Sequence, residues 1–467
     1  MSDGDSPMIE PRLVCSGCGY AAPDEDPFPF RCPNAGSGDD IDHVLVRRFE
    51  PPAAGFPAGT ESNPFVRYRE LFRSYRLALA RGMSEGEYVD LVDRLNKEVA
   101  AVEGRGFEET PFGPSAALGE RLGFAPPGAV WVKDETGNVS GSHKARHLMG
   151  LLVHLRVAEE TGLVDSAAGL PDLAIASCGN AALAAAVVAR AGGRRLRVFV
   201  PTTADPLVVE RLEALGASIE VCPRDPGVPG DPSYHALKAA LAQGALPFTC
   251  QGNENGLAIE GGQTLGYEMV TRLGADGVTL DHVFVQVGGG ALASAMMAAF
   301  AEAHELGAVE RLPRFHTVQT MGGHPLKRAY GRLIERIAGR IGTSDPDAIR
   351  DRFHDAKVQD GLAYAAHHRS EFMWPWETEP VSVAHGILDD ETYDWLAVAR
   401  GMLATGGSPV VVDEATLHRA NALARETTGI DVDHTGSSGL AGLMQLKERG
   451  DVGSDDGVAV LFTGVRR

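Results

Sequence analysis

Three times along the chain a short apolar run stops at a cluster of small residues, and a helical stretch follows. Residues 130–135 read VWVKDE and lead through the small residues of 138–142, NVSGS, into a helix beginning near Lys144. Residues 173–176, LAIA, lead through SCGN into an Ala-rich helix that ends at Gly192 and Gly193. Val283, Val285 and Val287 alternate along a third run, which stops at Gly288, Gly289 and Gly290. Leu196, Val198 and Val200 mark another strand, and Asp205 and Pro206 then cap a helix with Val208, Leu212 and Leu215 on one face. Strand–loop–helix order of this kind places helices on both faces of a parallel sheet. The expected fold class is therefore α/β, with open, mostly parallel sheets and a last strand, VAVLF, that turns at Gly464.

A chain of 467 residues is too long for one ordinary domain. Its net charge of −20 argues against the basic face that a polyanion binder needs, so no nucleic-acid partner is expected. No run of about 18 apolar residues occurs, and the polar, acidic first 11 residues do not read as a targeting segment. A cytoplasmic enzyme with no membrane partner is the expectation.

The first 48 residues stand apart, since Cys15, Cys18 and Cys32 are three of the six cysteines. Such a cluster in a long acidic chain suggests metal rather than disulfides. Cys15 and Cys18 form a Cys-x-x-Cys knuckle, and Cys32 begins a second one. A closed zinc site takes four ligands, but the expected fourth position is Ala35. Either His43 or a carboxylate among Asp39, Asp40 and Asp42 completes the set, or the ribbon is degenerate and holds no metal. Residues 49–64, rich in Pro, Gly and Ala, read as a linker, and residues 66–101 carry apolar positions at helical spacing. Residues 331–376 turn from polar to aromatic and histidine-rich, and read as an excursion on the surface or over the site.

Four motifs carry chemistry. An amine at the start of a helix, as at Lys144, lies in positive potential that favours the neutral form Schiff-base chemistry needs. The small residues before it let the backbone approach a bound ring or phosphate. The turn of Ser177, Cys178 and Gly179 offers backbone N–H groups to an anion, and the Asn180 amide can donate to a phenolic oxygen. Gly288, Gly289, Gly290 and Ala291 form a glycine-rich turn into a helix, which is a phosphate cradle, but no Gly-Lys-Ser/Thr follows and the dinucleotide fingerprint fails at Ala293. The Thr463 hydroxyl, at a strand end, can hydrogen-bond a pyridine nitrogen without fully protonating it. Taken singly, each motif is an ordinary capped turn or strand end. Together they lie at the C-terminal ends of strands, where open α/β sheets bind ligands. They supply an amine, a carboxylate site, a phosphate site and a ring-nitrogen partner, the inventory of pyridoxal phosphate plus an amino acid.

The motif order resembles the fold-type II pyridoxal-phosphate enzymes. Similarity runs from Thr110-Pro111 through VWVKDE, SGSHKAR, SCGN, VFVPTTADP, EGGQTLGYE and VGGGAL to LFTG. The cysteine-rich start and EGGQTLGYE look most like threonine synthase and cysteate synthase, and GSHK looks more like the tryptophan synthase β chain. The resemblance implies two lobes, a large one of residues 49–145 and 275–467 and a small mobile one of 146–274, beside the ribbon of 1–48. It implies that Lys144 carries the cofactor and moves protons, that His143 lies beside the phosphate, and that Gly288 to Ala291 hold it. Asn180 would meet the ring hydroxyl, Thr463 the ring nitrogen (with Ser437 or Ser438 as alternatives), and Ser140, Ser177, Cys178 and Gly179 the substrate. The implied reaction is β-elimination or β/γ-replacement on serine, threonine or an O-phospho or O-acyl derivative, in a homodimer. His143, Ala145 and Arg146 depart from the threonine synthase pattern around the lysine, so threonine formation itself is not implied. Two other classes stay open, an inactive metal- or ligand-binding homologue and a nucleotide-dependent oxidoreductase.

Overall fold

The computed structural model describes residues 13–467 apart from positions 37, 58, 166–168, 226 and 229. In chain order the strands are β1 (Leu13–Cys15), β2 (Leu45–Arg47), β3 (Phe112–Pro114), β4 (Ala129–Asp134), β5 (Leu173–Ala176), β6 (Leu196–Pro201), β7 (Ser218–Cys222), β8 (Leu246–Pro247), β9 (His282–Gln286), β10 (Arg314–Thr320), β11 (Pro409–Val412) and β12 (Gly457–Phe462). β1 and β2 pair antiparallel in the cysteine-rich segment. A six-stranded sheet has the order β11-β10-β9-β12-β4-β3 and a four-stranded one the order β7-β6-β5-β8. All neighbours in both are parallel except β3 with β4. This is the α/β class expected, and the parallel strands read as near-continuous apolar runs because helices cover both faces.

Register sets the site. Val460 lies opposite Phe284 on β9, and Phe462 lies opposite Asp134 on β4. The C-terminal ends of β4, β9 and β12 therefore finish at one edge, and each feeds a loop that carries one of the motifs.

The helix Lys144–Glu160 buries almost its whole circumference, including Leu148, Leu151, Leu152 and Leu155. Each such leucine contributes roughly 1.5–3 kcal/mol by leaving water. The helix Ala258–Asp276 crosses it at very short range. A methyl group on Gly261 would lie 2.2 Å from the Arg146 carbonyl oxygen, and one on Gly262 would lie 2.2 Å from the His147 ring. The paired glycines of EGGQTLGYE are thus a packing requirement.

The helical stretch of 66–101 is divided. Helices Pro64–Arg67, Arg73–Ala80 and Glu85–Glu103 replace one run, the last opened by a capping box of Ser84 and Glu87. Residues 331–376 do not cover the site. Leu333, Ile337, Ile349, Val358 and Leu362 join the same apolar cluster as Phe315 and Met402 of the six-stranded sheet layer, so this stretch is surface structure anchored by its own core residues.

Candidate active site

A cavity of about 760 Å³ opens where the loops after β4, β5, β9 and β12 converge. His143, Lys144, Ser177, Cys178, Gly179, Asn180, Gly288, Gly289, Gly290, Ala291 and Thr463 all line it. Residues more than 300 positions apart in sequence thus meet in one space. Ser437 and Ser438 are not in its wall. The Ser437 hydroxyl donates to the Asp433 carbonyl at 2.8 Å, and that of Ser438 to the His434 carbonyl at 2.7 Å. Both hydroxyls are spent on the start of their own helix, which leaves Thr463 in the cavity.

Ser140 also lies outside the wall. Its φ of 56° is the one positive value for a non-glycine among the described residues, a conformation that costs energy and clusters at functional loops. Its carbonyl accepts a 2.6 Å hydrogen bond from Arg467, whose other guanidinium nitrogen donates to Asn180 Oδ1. That bond fixes the Asn180 amide, since its oxygen is taken and its NH₂ is left as the donor end. Gly290 begins the helix Ala291–Glu305 at φ 101°, which only glycine adopts freely.

Several buried polar atoms around Lys144 have no partner. Among the described residues these are His143 Nε2 and Gln286 Oε1, which belong to residues of the cavity wall, and Ser140 Oγ and Ser142 Oγ, which lie beside it. His143 Nδ1 donates to the Thr463 carbonyl at 3.2 Å. Burial, with the Lys144 charge adding to it, holds the His143 imidazole well below its ordinary range. Each buried polar group without a partner costs about 1–3 kcal/mol, and such groups mark where a ligand completes a site. An amine, a glycine cradle of backbone N–H groups, an amide donor and a hydroxyl around one cavity fit the phosphate, ring hydroxyl and ring nitrogen of pyridoxal phosphate.

Sequence reasoning did not place four acids and an amide of this wall, Asp205 (read only as a helix cap), Asp231, Asp389, Asp433 and Gln286. Burial pushes the Asp389 carboxyl up to about 6 against the pull of Lys144, while a backbone hydrogen bond from Gly289 favours its charged form. Burial raises Cys178 too, with Asp231 and Asp389 adding to it. No local pattern announces the acids. Gln286, a polar residue ending the apolar run HVFVQ, carried a readable signal.

Behind Lys144 a closed ion network holds the scaffold. Arg146 donates to Glu135 at 2.8 and 3.0 Å and to Glu268 at 2.7 and 3.0 Å, and also reaches Thr110 and Thr264 at 3.0 Å. Lys133 donates to Glu268 at 2.5 Å and to the Thr110 carbonyl at 2.8 Å. Burial works against the charge on Arg146, but Glu135 and Glu268 outweigh it and raise its pKa. The motifs around Thr110, VWVKDE, SGSHKAR and EGGQTLGYE are thus joined physically.

Away from the cavity, the ligand atoms of Cys15, Cys18, Cys32 and His43 all lie within 4.8 Å of one another. Cys32 Sγ is 3.4 Å and Cys15 Sγ 3.6 Å from His43 Nδ1, and Cys18 Sγ is 3.6 Å from Cys32 Sγ. A tetrahedron of roughly 2.3 Å zinc–sulfur bonds has edges of about 3.8 Å. His43 therefore stands where the fourth ligand of such a set would, in the place that Ala35 leaves. Asp39 stands behind it at 3.1 Å from Nε2, and Asp42 instead pairs with Arg369. An outer carboxylate on a ligating histidine is the usual arrangement.

Among the described residues no helix is long and apolar enough to cross a membrane. The threonine synthase of Synechocystis is 28% identical over 259 residues, which spans 56% of this chain and 59% of that enzyme. The threonine synthase of Methanocaldococcus jannaschii is 25% identical over 383 residues, 81% of this chain and 78% of the other. The solved diaminopropionate ammonia-lyase of Escherichia coli superposes with a TM-score of 0.56 at 16% identity, covering 90% of this chain and 95% of that one. A family model described as pyridoxal-phosphate dependent enzyme matches residues 105–464, from just after the helix Glu85–Glu103 to Gly464, the residue that follows Thr463. With the cavity and its donors in place, that match assigns the chain to the pyridoxal-phosphate dependent enzymes, on the fold-type II architecture.

Proposed function

We propose that the chain catalyses β-elimination or β/γ-replacement on a small L-amino acid, with serine, threonine or an O-phospho or O-acyl derivative as substrate. The observation that carries this reading is Thr463, a hydroxyl and not a carboxylate, at the end of β12 in the cavity wall. Bound pyridoxal phosphate supplies an electron sink for the charge left when the α-proton departs. Lys144 would hold the cofactor through its Nζ, and the same amine would carry the α-proton. Backbone N–H groups of Ser177, Cys178 and Gly179 would orient the substrate carboxylate, and the NH₂ end of Asn180 would meet the ring hydroxyl. Gly288 to Ala291 would hold the phosphate beside His143. A hydroxyl cannot stabilise a full ring cation as an acid would, so loss of a side-chain leaving group outruns transamination. The threonine synthase relatives and the ammonia-lyase structure support this class of chemistry.

The reading includes a small mobile lobe built on the four-stranded sheet, a homodimeric assembly, and zinc on Cys15, Cys18, Cys32 and His43. Borohydride reduction of the loaded protein is expected to fix the cofactor on the peptide containing Lys144. Serine, threonine and their O-substituted forms are then screened for keto acid and for condensed product. Labelling of a different lysine, or a pyridoxamine form as the main product, sinks the reading. Metal analysis tests the ribbon, where one zinc per chain is expected and Cys15→Ser loses it. Metal that survives Cys15→Ser refutes that ligand set.

A further inference from the structure

We infer that Gln286 aims the Thr463 hydroxyl into the cavity, and thereby keeps the ring nitrogen of the bound cofactor unprotonated. This rests on the reading that Thr463 faces that nitrogen. Gln286 ends β9 and is 4% exposed. Its Nε2 lies 2.5 Å from Thr463 Oγ1, 2.9 Å from the Gly436 carbonyl and 3.3 Å from the Leu461 carbonyl. Two of these three are carbonyl oxygens, which only accept. The NH₂ end of the amide must therefore face them, because the reverse orientation would set Gln286 Oε1 against two lone-pair-bearing oxygens.

The two hydrogens of Nε2 go to the two nearest acceptors, the Gly436 carbonyl and the Thr463 hydroxyl. An oxygen that accepts from an amide keeps its own proton for another acceptor. Thr463 Oγ1 has no other hydrogen bond among the described residues, and Thr463 lines the cavity. The hydroxyl thus presents its proton to the ligand. A neutral pyridine nitrogen, with its lone pair, matches that proton. A protonated ring nitrogen would place donor against donor. Gln286 is a positioning residue, since it acts through Thr463 and reaches the chemistry only by deciding which end of that hydroxyl is offered.

The test uses the full chain reconstituted with pyridoxal phosphate carrying ¹⁵N in the ring, read by the nitrogen chemical shift and by cofactor Kd. Thr463→Val removes the hydroxyl. Gln286→Met keeps the volume and removes the donor, so the Thr463 hydroxyl turns to the vacated carbonyls. Both variants are expected to move the shift in the same direction and to weaken cofactor binding roughly two- to tenfold. The double variant is expected to be no worse than either single one. A parental shift in Gln286→Met while Thr463→Val moves it overturns the inference, as do additive effects on Kd. An unchanged shift in Thr463→Val overturns the placement of Thr463 itself.

Discussion

Two surroundings meet at the start of the helix Lys144–Glu160. Behind Lys144, every nitrogen of the Arg146 guanidinium is hydrogen-bonded, and Glu135, Glu268, Lys133 and Thr110 close the network around it. Ahead of it, Ser140 Oγ, Ser142 Oγ and His143 Nε2 are buried and have no partner among the described residues. One heptapeptide, SGSHKAR, supplies both sides. A buried charge is tolerated only when fully paired, so the closed side must be complete in the chain itself. On the open side, His143 lines the cavity, where a ligand can complete its hydrogen bonding. The closed network fixes the backbone on which the open groups are displayed, as a precise site requires.

The sharpest way to break this contrast is at its hinge. Lys144→Ala should abolish covalent attachment of the cofactor and all turnover, while the stability of the cofactor-free chain changes by no more than about 0.5 kcal/mol. Borohydride reduction and urea unfolding on one preparation check both halves. Arg146→Met should do the reverse. It leaves Glu135 and Glu268 with Lys133 alone, and removing one side of a buried pair costs about 3–5 kcal/mol. A urea midpoint close to the parent's would show that the network is not closed as described. Arg146→Lys should recover only part of the loss, because an ammonium cannot serve two carboxylates in a fork.

The open side was more legible in the sequence than the closed one. Lys144, SCGN, the three glycines and Thr463 all follow strands, and a turn between a strand and a helix is a local pattern. Arg146, Lys133, Glu135 and Glu268 stood inside motifs that were noticed by resemblance, but their pairing is a long-range fact. The same holds for Asp389, Asp433 and Arg467, which reach the cavity through loops without a signature. Gln286 was missed although a polar residue closing HVFVQ was visible, because the strand's valines drew the reading to its other face. In the sequence His43 reads as the fourth member of the cysteine set, with a carboxylate among Asp39 to Asp42 as the alternative, and its place beside Cys15 and Cys32 is a long-range fact of the folded segment. The stretch of 331–376 hid its core residues, since Leu333, Ile337 and Leu362 are interleaved with charge.

His154 stands between the two extremes, buried with one ring nitrogen satisfied and one not. Its Nε2 donates to the Pro27 carbonyl at 3.0 Å, tying the helix to the cysteine-rich segment, and Nδ1 has no partner. Burial, helped by the Arg73 charge, lowers it to about 3. The folded chain therefore keeps it neutral, while the unfolded chain protonates it near its ordinary value of about 6.5. The stability this neutral ring contributes is present above that value and is lost as pH falls toward 3. His154→Gln keeps an N–H for Pro27 and does not titrate. The parent's stability relative to that variant should fall by about 1.4 kcal/mol between pH 7.5 and 5.5, measured by urea unfolding. A difference independent of pH would mean that the folded chain protonates His154 as readily as the unfolded one.

The smallest effect is the most specific to the open side. Ser142 is fully buried, forms a bridge with Gly464, and its hydroxyl meets no acceptor or donor. In the closed network, removing a polar group would strand its partners. Here there are none to strand, so Ser142→Ala only relieves a desolvated hydroxyl. The cofactor-free chain should be unchanged or up to about 1 kcal/mol more stable. Ser142 stands next to His143 of the wall without lining the cavity itself, and a loaded protein that moves the other way shows that the bound ligand reaches its hydroxyl. A neutral hydrogen bond contributes about 0.5–1.5 kcal/mol, which corresponds to a Kd for pyridoxal phosphate roughly two- to twelvefold weaker. Opposite signs in the free and loaded states, from one methyl-sized change, separate a group awaiting a ligand from one that merely packs badly. Loss of stability in the free chain would show that Ser142 has a partner inside the protein, and would move it to the closed side of the comparison.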